Sequence, residues 1–518
     1  MPDFDAVIVG AGHNALVCAG YLAKAGYHVA VVERRHTVGG AVVTEEIIDG
    51  FKFDLGGSAH ILIHHTPIVK DLGLARYDLD YIDVDPIFFA PFPDGSHLFI
   101  WKDLDKTCES IAQISPRDAE TYRAFIKQWQ PMAEGMVRTF NSTPSPYNLF
   151  KHLILGANFG RNWQEPLNQI IRSYGHFLRN TFESPQLQAL IGWMAAQSGP
   201  PPGEAFSAPF ALWHPLYHQV GIKRPKGGSG MLTQSLAKMI TAYGGSIYTD
   251  NPVTQIITQN GRAVGVHTQN GQTITGRVVI SGAHIHTTMK LLGEGAPPRA
   301  KRIIDGTRIG NGFGAVVRYA MNELPDYTAY AGAPNEAHRA MQMICPSLDY
   351  LEAAYGDFLA KRPSQDPALI SMTFSTVDPT LAPPDHHTMF LWGQYYPYDL
   401  ANNEQWDAIE EREADNMLAT LRQYAPNMTP EKVVGKLIET PVYLERTLGL
   451  LQGNVMHLEM SLDQMMAFRP ALSMSNYRAP VKGLYLTGAS THPGGGIMGA
   501  AGRNAAHVVL NDFARRRI

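Results

Sequence analysis

Four consecutive apolar residues, Ala6-Val7-Ile8-Val9, begin the pattern of the chain. A short continuous run of this kind fits a strand buried on both faces. Gly10-Ala11-Gly12 interrupts it, apolar residues at helical spacing follow as far as Gly26, and residues 27–33 read as a second strand. Strand, glycine turn, helix and strand in this order make one βαβ unit. Between Ser246 and Ala283 the pattern shortens to strand length and is broken by Asn260-Gly261 and Asn270-Gly271. Asn-Gly favours tight hairpins because both central positions of a type I′ turn need positive φ. A three-stranded antiparallel meander over residues 256–258, 263–268 and 273–281 is therefore expected, as an annex to a parallel sheet. Residues 100–220 read as mostly helical and aromatic, with a break at Pro200-Pro201-Pro202. Further strands are expected at 372–376 and 389–396, and a helix at 405–424.

The glycine turn carries the first chemistry. In Gly10-x-Gly12-x-x-Ala15 the first glycine permits the turn, the second admits a pyrophosphate to the backbone, and the small Ala15 lets helix and strand pack closely. The helix N-terminus offers free N–H groups to phosphate, and Glu33, ending the second strand, is placed to accept from ribose hydroxyls. Arg34 or Arg35 could serve the 2′-phosphate of NADP, but Gly39-Gly40-Ala41 offers a second close backbone approach that suits a longer cofactor, FAD. Gly310-Asn311-Gly312-Phe313-Gly314 runs into the strand-like residues 316–320, not into a helix, so no second dinucleotide unit and no dedicated NAD(P)H domain are expected. Near the C-terminus, the strand-like Leu484-Tyr485-Leu486 leads through Thr487-Gly488-Ala489 and Pro493-Gly494-Gly495-Gly496-Ile497-Met498-Gly499 to an alanine-rich helix. Its N-terminus would stabilise negative charge at the N1–C2 edge of a reduced flavin.

Composition narrows the alternatives. The 518 residues are 45% hydrophobic and 17% charged with net charge −4, so no general basic field is available to hold nucleic acid. Cys18, Cys108 and Cys345 are far apart and form no CxxC pair, which disfavours a disulfide scaffold, a zinc site and a flavin disulfide reductase. A first strand beginning at about Asp5 leaves no room for a secretory leader, and no run approaches the ~20 apolar residues of a membrane helix. A cytoplasmic protein is expected, with peripheral membrane association as the alternative.

Several segments resemble the phytoene desaturase family: residues 7–14, Glu33 with Gly39-Gly40, Phe53-Asp54-Leu55-Gly56-Gly57, Arg224-Pro225-Lys226-Gly227-Gly228-Ser229-Gly230, and Gly488 with His492-Pro493-Gly494-Gly495. Lys106-Thr107-Cys108, residues 115–120, and residues 453–455 with 461–466 resemble desaturase-type β-carotene ketolases. Gly496-Ile497-Met498-Gly499-Ala500-Ala501-Gly502-Arg503-Asn504 resembles the pyridine nucleotide-disulphide oxidoreductase domain-containing protein 2 group. The resemblance implies that Gly10, Gly12, Ala15, Glu33, Arg34, Gly39, Gly40 and Ala41 bind FAD. It also implies that Val253 meets the adenine, Ser281 and Gly282 pass the pyrophosphate, and Gly488, Ala489, Gly496 and Met498 flank the flavin.

The resulting expectation is an α/β fold with a glutathione-reductase-like FAD-binding Rossmann domain (1–75, 222–290 and 478–518) and an inserted mixed α+β substrate domain (76–221 and 291–477). The expected chemistry is oxidation of an apolar isoprenoid, first ring ketolation of a carotenoid, then desaturation; a non-carotenoid oxidation and a non-catalytic prenyl-lipid carrier are the alternatives. Such a substrate calls for an apolar tunnel, for which the residues between Tyr147 and Leu155 and between Phe206 and Tyr217 are candidates. Beyond the flavin, Lys226 and His492 are the catalytic candidates, each with a loop-ordering role as its alternative. His60, His64 and His65 near Asp54 invite a metal, but satisfied or surface histidines are the expectation. Arg515-Arg516-Arg517 reads as a solvated helix end, with anionic lipid as the sharper alternative.

Overall fold

The computed structural model describes residues 2–155 and 164–516. The expected βαβ unit forms from β1 (Phe4–Val9), α1 (His13–Lys24) and β2 (Val29–Val32). β1 runs parallel to β2, with Ala6 opposite Val29, and parallel to the strand Thr273–Ser281, with Ala6 opposite Val278. The sheet reads Val253–Gln259, Arg262–Thr268, Thr273–Ser281, β1, β2 and Ser246–Tyr248, and Leu484–Leu486 joins Thr273–Ser281 on its other edge.

The three meander strands are present, but the third is not an annex. Its first residues close the antiparallel hairpin, Gly265 opposite Thr275, while Val279 to Ser281 lie between β1 and Leu484–Leu486 as a parallel strand. The apolar run Val278-Val279-Ile280 is fully buried, which requires cover on both faces. Gly276 marks the transition, because a side chain there would press on Val7 at 2.9 Å.

A second sheet is ordered Val433–Glu439, Gly312–Met321, His387–Pro397, Leu369–Met372, Met341–Ile344, Phe88–Pro91 and His97–Ile100. The strand expected at 372–376 is in fact Leu369–Met372, and Phe374–Thr376 turns as a 3-10 helix. The hydroxyls of Thr373 and Thr376 both donate to the His338 carbonyl, the kind of side-chain bond that competes with a sheet ladder. The expected helix at 405–424 is Trp406–Arg422.

Helices from residues 104–220 pack with this sheet around an aromatic core that includes Tyr122, Trp129 and Trp193. The longest, Pro116–Phe140, starts where the Ser115 hydroxyl accepts from the Asp118 N–H with Pro116 in the first turn, both strong helix-start devices. The C-terminal helix, Ala500–Ala514, crosses α1 at Gly502, where any side chain would collide with the Asn14 carbonyl. That contact sets its N-terminal end beside the glycine turn. No helix among the described residues is long and apolar enough to cross a membrane, and the three cysteines are buried free thiols.

Candidate functional site

A cavity of about 750 Å³ runs from the C-terminal end of β1 into the aromatic core. Gly10 turns the chain at φ +86°, and its N–H donates to the Val32 carbonyl at 2.8 Å. Gly12 follows in extended geometry and caps α1, and a Cβ there would meet no protein atom within 4 Å. The Gly39 N–H donates to the Ala11 carbonyl at 2.9 Å, and a side chain at Gly40 would come within 3.1 Å of the Gly12 Cα. The two glycine segments therefore meet backbone to backbone and leave a cradle that any Cβ would narrow. Ala15 is small for a similar reason, since a Cβ at Gly282 would lie 2.7 Å from its methyl.

Glu33 is buried at the rim. One carboxylate oxygen accepts from the Ala11 N–H at 2.7 Å and the other from the Arg35 N–H at 2.9 Å. Both basic neighbours are engaged, Arg34 with the Thr447 carbonyl at 3.0 Å and Arg35 with Glu45 at 2.5 Å. A bare glycine cradle at a helix N-terminus, followed by a fixed carboxylate, fits the pyrophosphate and ribose of a dinucleotide.

The structure brings all the expected cofactor residues to the cavity wall except two. Gly39 lies one layer behind, held against Ala11, and the Ser281 hydroxyl is turned away to Thr288 at 2.7 Å. Val253 and Arg34 line one end together with Leu291, Arg446 and Leu448, while Gly488, Ala489, Gly496 and Met498 line another part of the wall. The lining also includes His13 and Asn14, from the motif at residues 7–14, and His284 and His457, which carried no sequence signal of their own.

Both side chains considered as catalytic candidates lie off the cavity. Lys226 is exposed in the turn that follows the strand Ile222–Pro225, whereas Arg224 on that strand is 2% exposed and 2.7 Å from Asp54. His492 is buried, its Nε2 hydrogen-bonded to the Thr139 carbonyl at 3.0 Å, while the Tyr477 hydroxyl donates to its carbonyl at 2.8 Å. Burial holds its pKa down to about 4, so it is neutral and orders the loop that carries Pro493 to the wall. His60 is satisfied by Ser229 at 2.8 Å and Tyr81 at 3.0 Å. Among the described residues no group of three ligating side chains could hold a metal. Arg515 and Arg516 are exposed at the end of the last helix, and Arg517 lies outside the described residues.

Two buried ion pairs support the wall at residues 56–58. Arg224 pairs with Asp54, and Arg318 pairs with Glu439 at 2.9 Å while donating to the Gly56 carbonyl at 3.1 Å and the Ser58 hydroxyl at 3.3 Å. Asp54 and Arg224 fall within motifs visible in the sequence; Arg318 and Glu439 do not.

Beyond this wall the lining becomes apolar, with Phe140, Met194, Phe210, Trp213, Phe313 and Trp392. Of the two segments considered for a tunnel, the second supplies Phe210, Trp213, Leu216 and Tyr217, whereas Leu212 packs into the core and Phe206 is exposed. In the first, Tyr147 and Phe150 are 70% and 54% exposed; the side chains of Ile154 and Leu155 lie outside the described residues.

A family profile described as flavin containing amine oxidoreductase matches residues 16–321. The chain is 33% identical to pyridine nucleotide-disulfide oxidoreductase domain-containing protein 2 of Rattus norvegicus, over 99% of this chain and 94% of that protein. It is 29% identical to one of the limonene dehydrogenase polypeptides of Castellaniella defragrans, covering 98% and 95% of the two chains. It is 27% identical to a lycopene-forming phytoene desaturase of a Paracoccus species, covering 98% of each. Among solved structures, an oxidoreductase from Methanosarcina mazei superposes with a TM-score of 0.65 at 17% identity, over 98% of this chain and 100% of that one.

Proposed function

Because the chain belongs to the flavin-containing amine oxidoreductase family and is an FAD-dependent oxidoreductase, we propose that it dehydrogenates an apolar, unsaturated isoprenoid. The observation that carries this reading is the continuity of one cavity, glycine cradle at one end and aromatic and methionine side chains at the other. Bound FAD supplies a two-electron acceptor. The chain's own part is to hold and to exclude. Gly10, Gly12, Gly40 and Ala41 would take the pyrophosphate, Glu33 the ribose, Arg34 and Val253 the adenosine end, and the wall of Gly282, Gly488, Ala489, Gly496 and Met498 the flavin end. The apolar arm would fix the substrate by burial alone, at ~0.8 kcal/mol per CH₂, and keep water from the reacting carbon.

The limonene dehydrogenase and phytoene desaturase names both describe removal of hydrogen from terpenoids, which favours desaturation over ring ketolation. A carotenoid is the long extreme of this substrate class. The intact cradle and the fixed Glu33 favour an enzyme over a prenyl-lipid carrier. We retain the division into an FAD-binding domain (1–75, 222–290 and 478–518) and a substrate domain (76–221 and 291–477) as part of this reading. Between Phe140 and Phe210, which both line the cavity, Tyr147, Phe150, Leu167, Ile171 and Phe206 are exposed. This supports a peripheral lipid contact.

The test is anaerobic mixing of the purified yellow protein with limonene, phytoene and β-carotene, following loss of flavin absorbance and product by chromatography. Flavin bleaching with a newly desaturated product is expected. Reduction by a primary amine with none by any terpenoid would overturn the substrate class and leave FAD in place.

A further inference from the structure

Among the described residues three arginines are buried to 2% exposure or less: Arg224, Arg318 and Arg469. The first two are each paired with a buried carboxylate. Arg469 is fully buried, and every hydrogen bond it makes is to a backbone carbonyl. Nε donates to Ala489 at 3.0 Å, Nη1 to Gln464 at 3.0 Å and Glu459 at 3.3 Å, and Nη2 to Leu458 at 3.3 Å and to Met456. No carboxylate among the described residues forms an ion pair with it. Burial lowers its pKa to about 9, which still leaves it cationic at neutral pH. The histidines around it, His284, His457 and His492, are all held neutral by burial.

An isolated buried charge is costly, and carbonyl dipoles offset only part of the cost. The position of the guanidinium suggests where the remainder is offset. Met456 and Ala489, which accept two of its bonds, line the cavity, so the charge stands one peptide behind the wall. It also lies within the loop that closes that wall, since a side chain at Gly494 would come within 3.4 Å of Nε. We propose that Arg469 is a positioning residue whose unpaired positive charge stabilises the negative charge that reduction places on the flavin. The inference rests on the reading of residues 488–498 as the flavin-facing wall. It assigns the charge to a side chain in addition to the N-terminus of Ala500–Ala514.

The test compares Arg469→Lys and Arg469→Gln holoenzymes with wild type by flavin midpoint potential and by affinity for sulfite, whose adduct at N5 leaves the same negative charge on the ring. Lysine keeps the charge but cannot make all five bonds, so it should melt lower while keeping the wild-type potential. Glutamine should weaken sulfite binding about tenfold and lower the potential by a similar factor, about 30 mV for a two-electron couple. A wild-type potential in Arg469→Gln, or a fall in Arg469→Lys as large as in Arg469→Gln, would make the residue a clamp only and overturn the proposal. Should Arg469→Gln not retain flavin, the sulfite affinity of Arg469→Lys decides: unchanged supports the proposal, tenfold weaker overturns it. Ala489→Val tests the underlying reading separately. If it leaves flavin spectrum and content untouched, the wall has been misassigned, whatever the arginine variants show.

Discussion

The carboxylate of Glu33 accepts a 2.7 Å hydrogen bond from the backbone N–H of Ala11, so the residue that ends β2 is locked by the turn that ends β1. A second bond from the Arg35 N–H occupies its other oxygen. Glu33 thus pins the glycine turn, and under the proposed function it is also the ribose acceptor. Replacing it with alanine leaves two N–H donors unpaired, at about 1–3 kcal/mol each where they are buried. Glu33→Ala should purify with little flavin and melt lower. Glu33→Gln, which keeps one acceptor oxygen, should fall between it and wild type in flavin-to-protein absorbance ratio.

Gly12→Val separates binding from folding. Gly12 has a φ of −64° and no protein atom within 4 Å of an added Cβ, so valine should fold into the apoprotein without backbone strain. Its methyl groups would fill the cradle, and a colourless protein with near-normal circular dichroism is expected. Normal flavin content would remove the cradle assignment.

The contrast between Glu33 and Arg318 shows what was legible in the sequence. The βαβ unit is local, its glycines sit at fixed offsets, and a few residues specify it, so Gly10, Gly12, Ala15, Glu33, Arg34, Gly40 and Ala41 reach the cavity wall; Val253, Gly282, Gly488, Ala489, Gly496 and Met498, which the family resemblance pointed to, reach it as well. The Ser281 hydroxyl turns toward Thr288, a matter of face that short runs do not reveal. Lys226 lies in the turn just past the strand Ile222–Pro225 and is exposed, where no strand periodicity applies. Arg318, Glu439 and Arg469 act across sequence separations for which a single chain gives no periodic signal. The last of these is recognisable only by its lack of a carboxylate.

Arg318→Met should be among the most destabilising single changes in the chain. It would strand Glu439, fully buried, beside Gly56. Removing one partner of a buried pair costs about 3–5 kcal/mol, whereas replacing both by apolar groups is far milder. Denaturant midpoints should therefore order wild type, Arg318→Met/Glu439→Leu, then Arg318→Met. A single mutant as stable as the double would show that the pair does not act as a unit.

Stability should fall as the medium is acidified below the ordinary histidine range. His13, His284 and His492 are each held by burial at about 4, against 6.5 when unfolded. Between these values the unfolded chain binds more protons than the folded one, so unfolding is favoured as pH drops. Burial raises the pKa values of Glu410, Glu413 and Glu439, which works in the opposite direction above their unfolded value of 4.5, but burial also lowers those of His60, His64, His65, His214 and His457, so the histidines prevail. Urea midpoints of the holoprotein should be lower at about pH 5 than at about pH 7.5. His492→Gln should flatten the dependence.

Trp213 tests the apolar arm without touching the cradle. Its indole N–H lies 3.4 Å from the Ser198 hydroxyl, and its ring faces Phe140 at 6.1 Å; all three residues line the cavity. Trp213→Leu keeps the position apolar while removing contact area, and it leaves Glu33, the glycine segments and the loop at 488–496 unchanged. If burial of an isoprenoid chain supplies the binding energy, KM should rise about tenfold, the worth of roughly two lost CH₂ contacts at ~0.8 kcal/mol each. Flavin content, potential and the anaerobic reduction rate at saturating substrate should stay near wild type, because the lost contact serves ground state and transition state alike. A fall in reduction rate at unchanged KM would place Trp213 against the reacting carbon instead. An unchanged KM and rate would mean that the substrate does not occupy this arm.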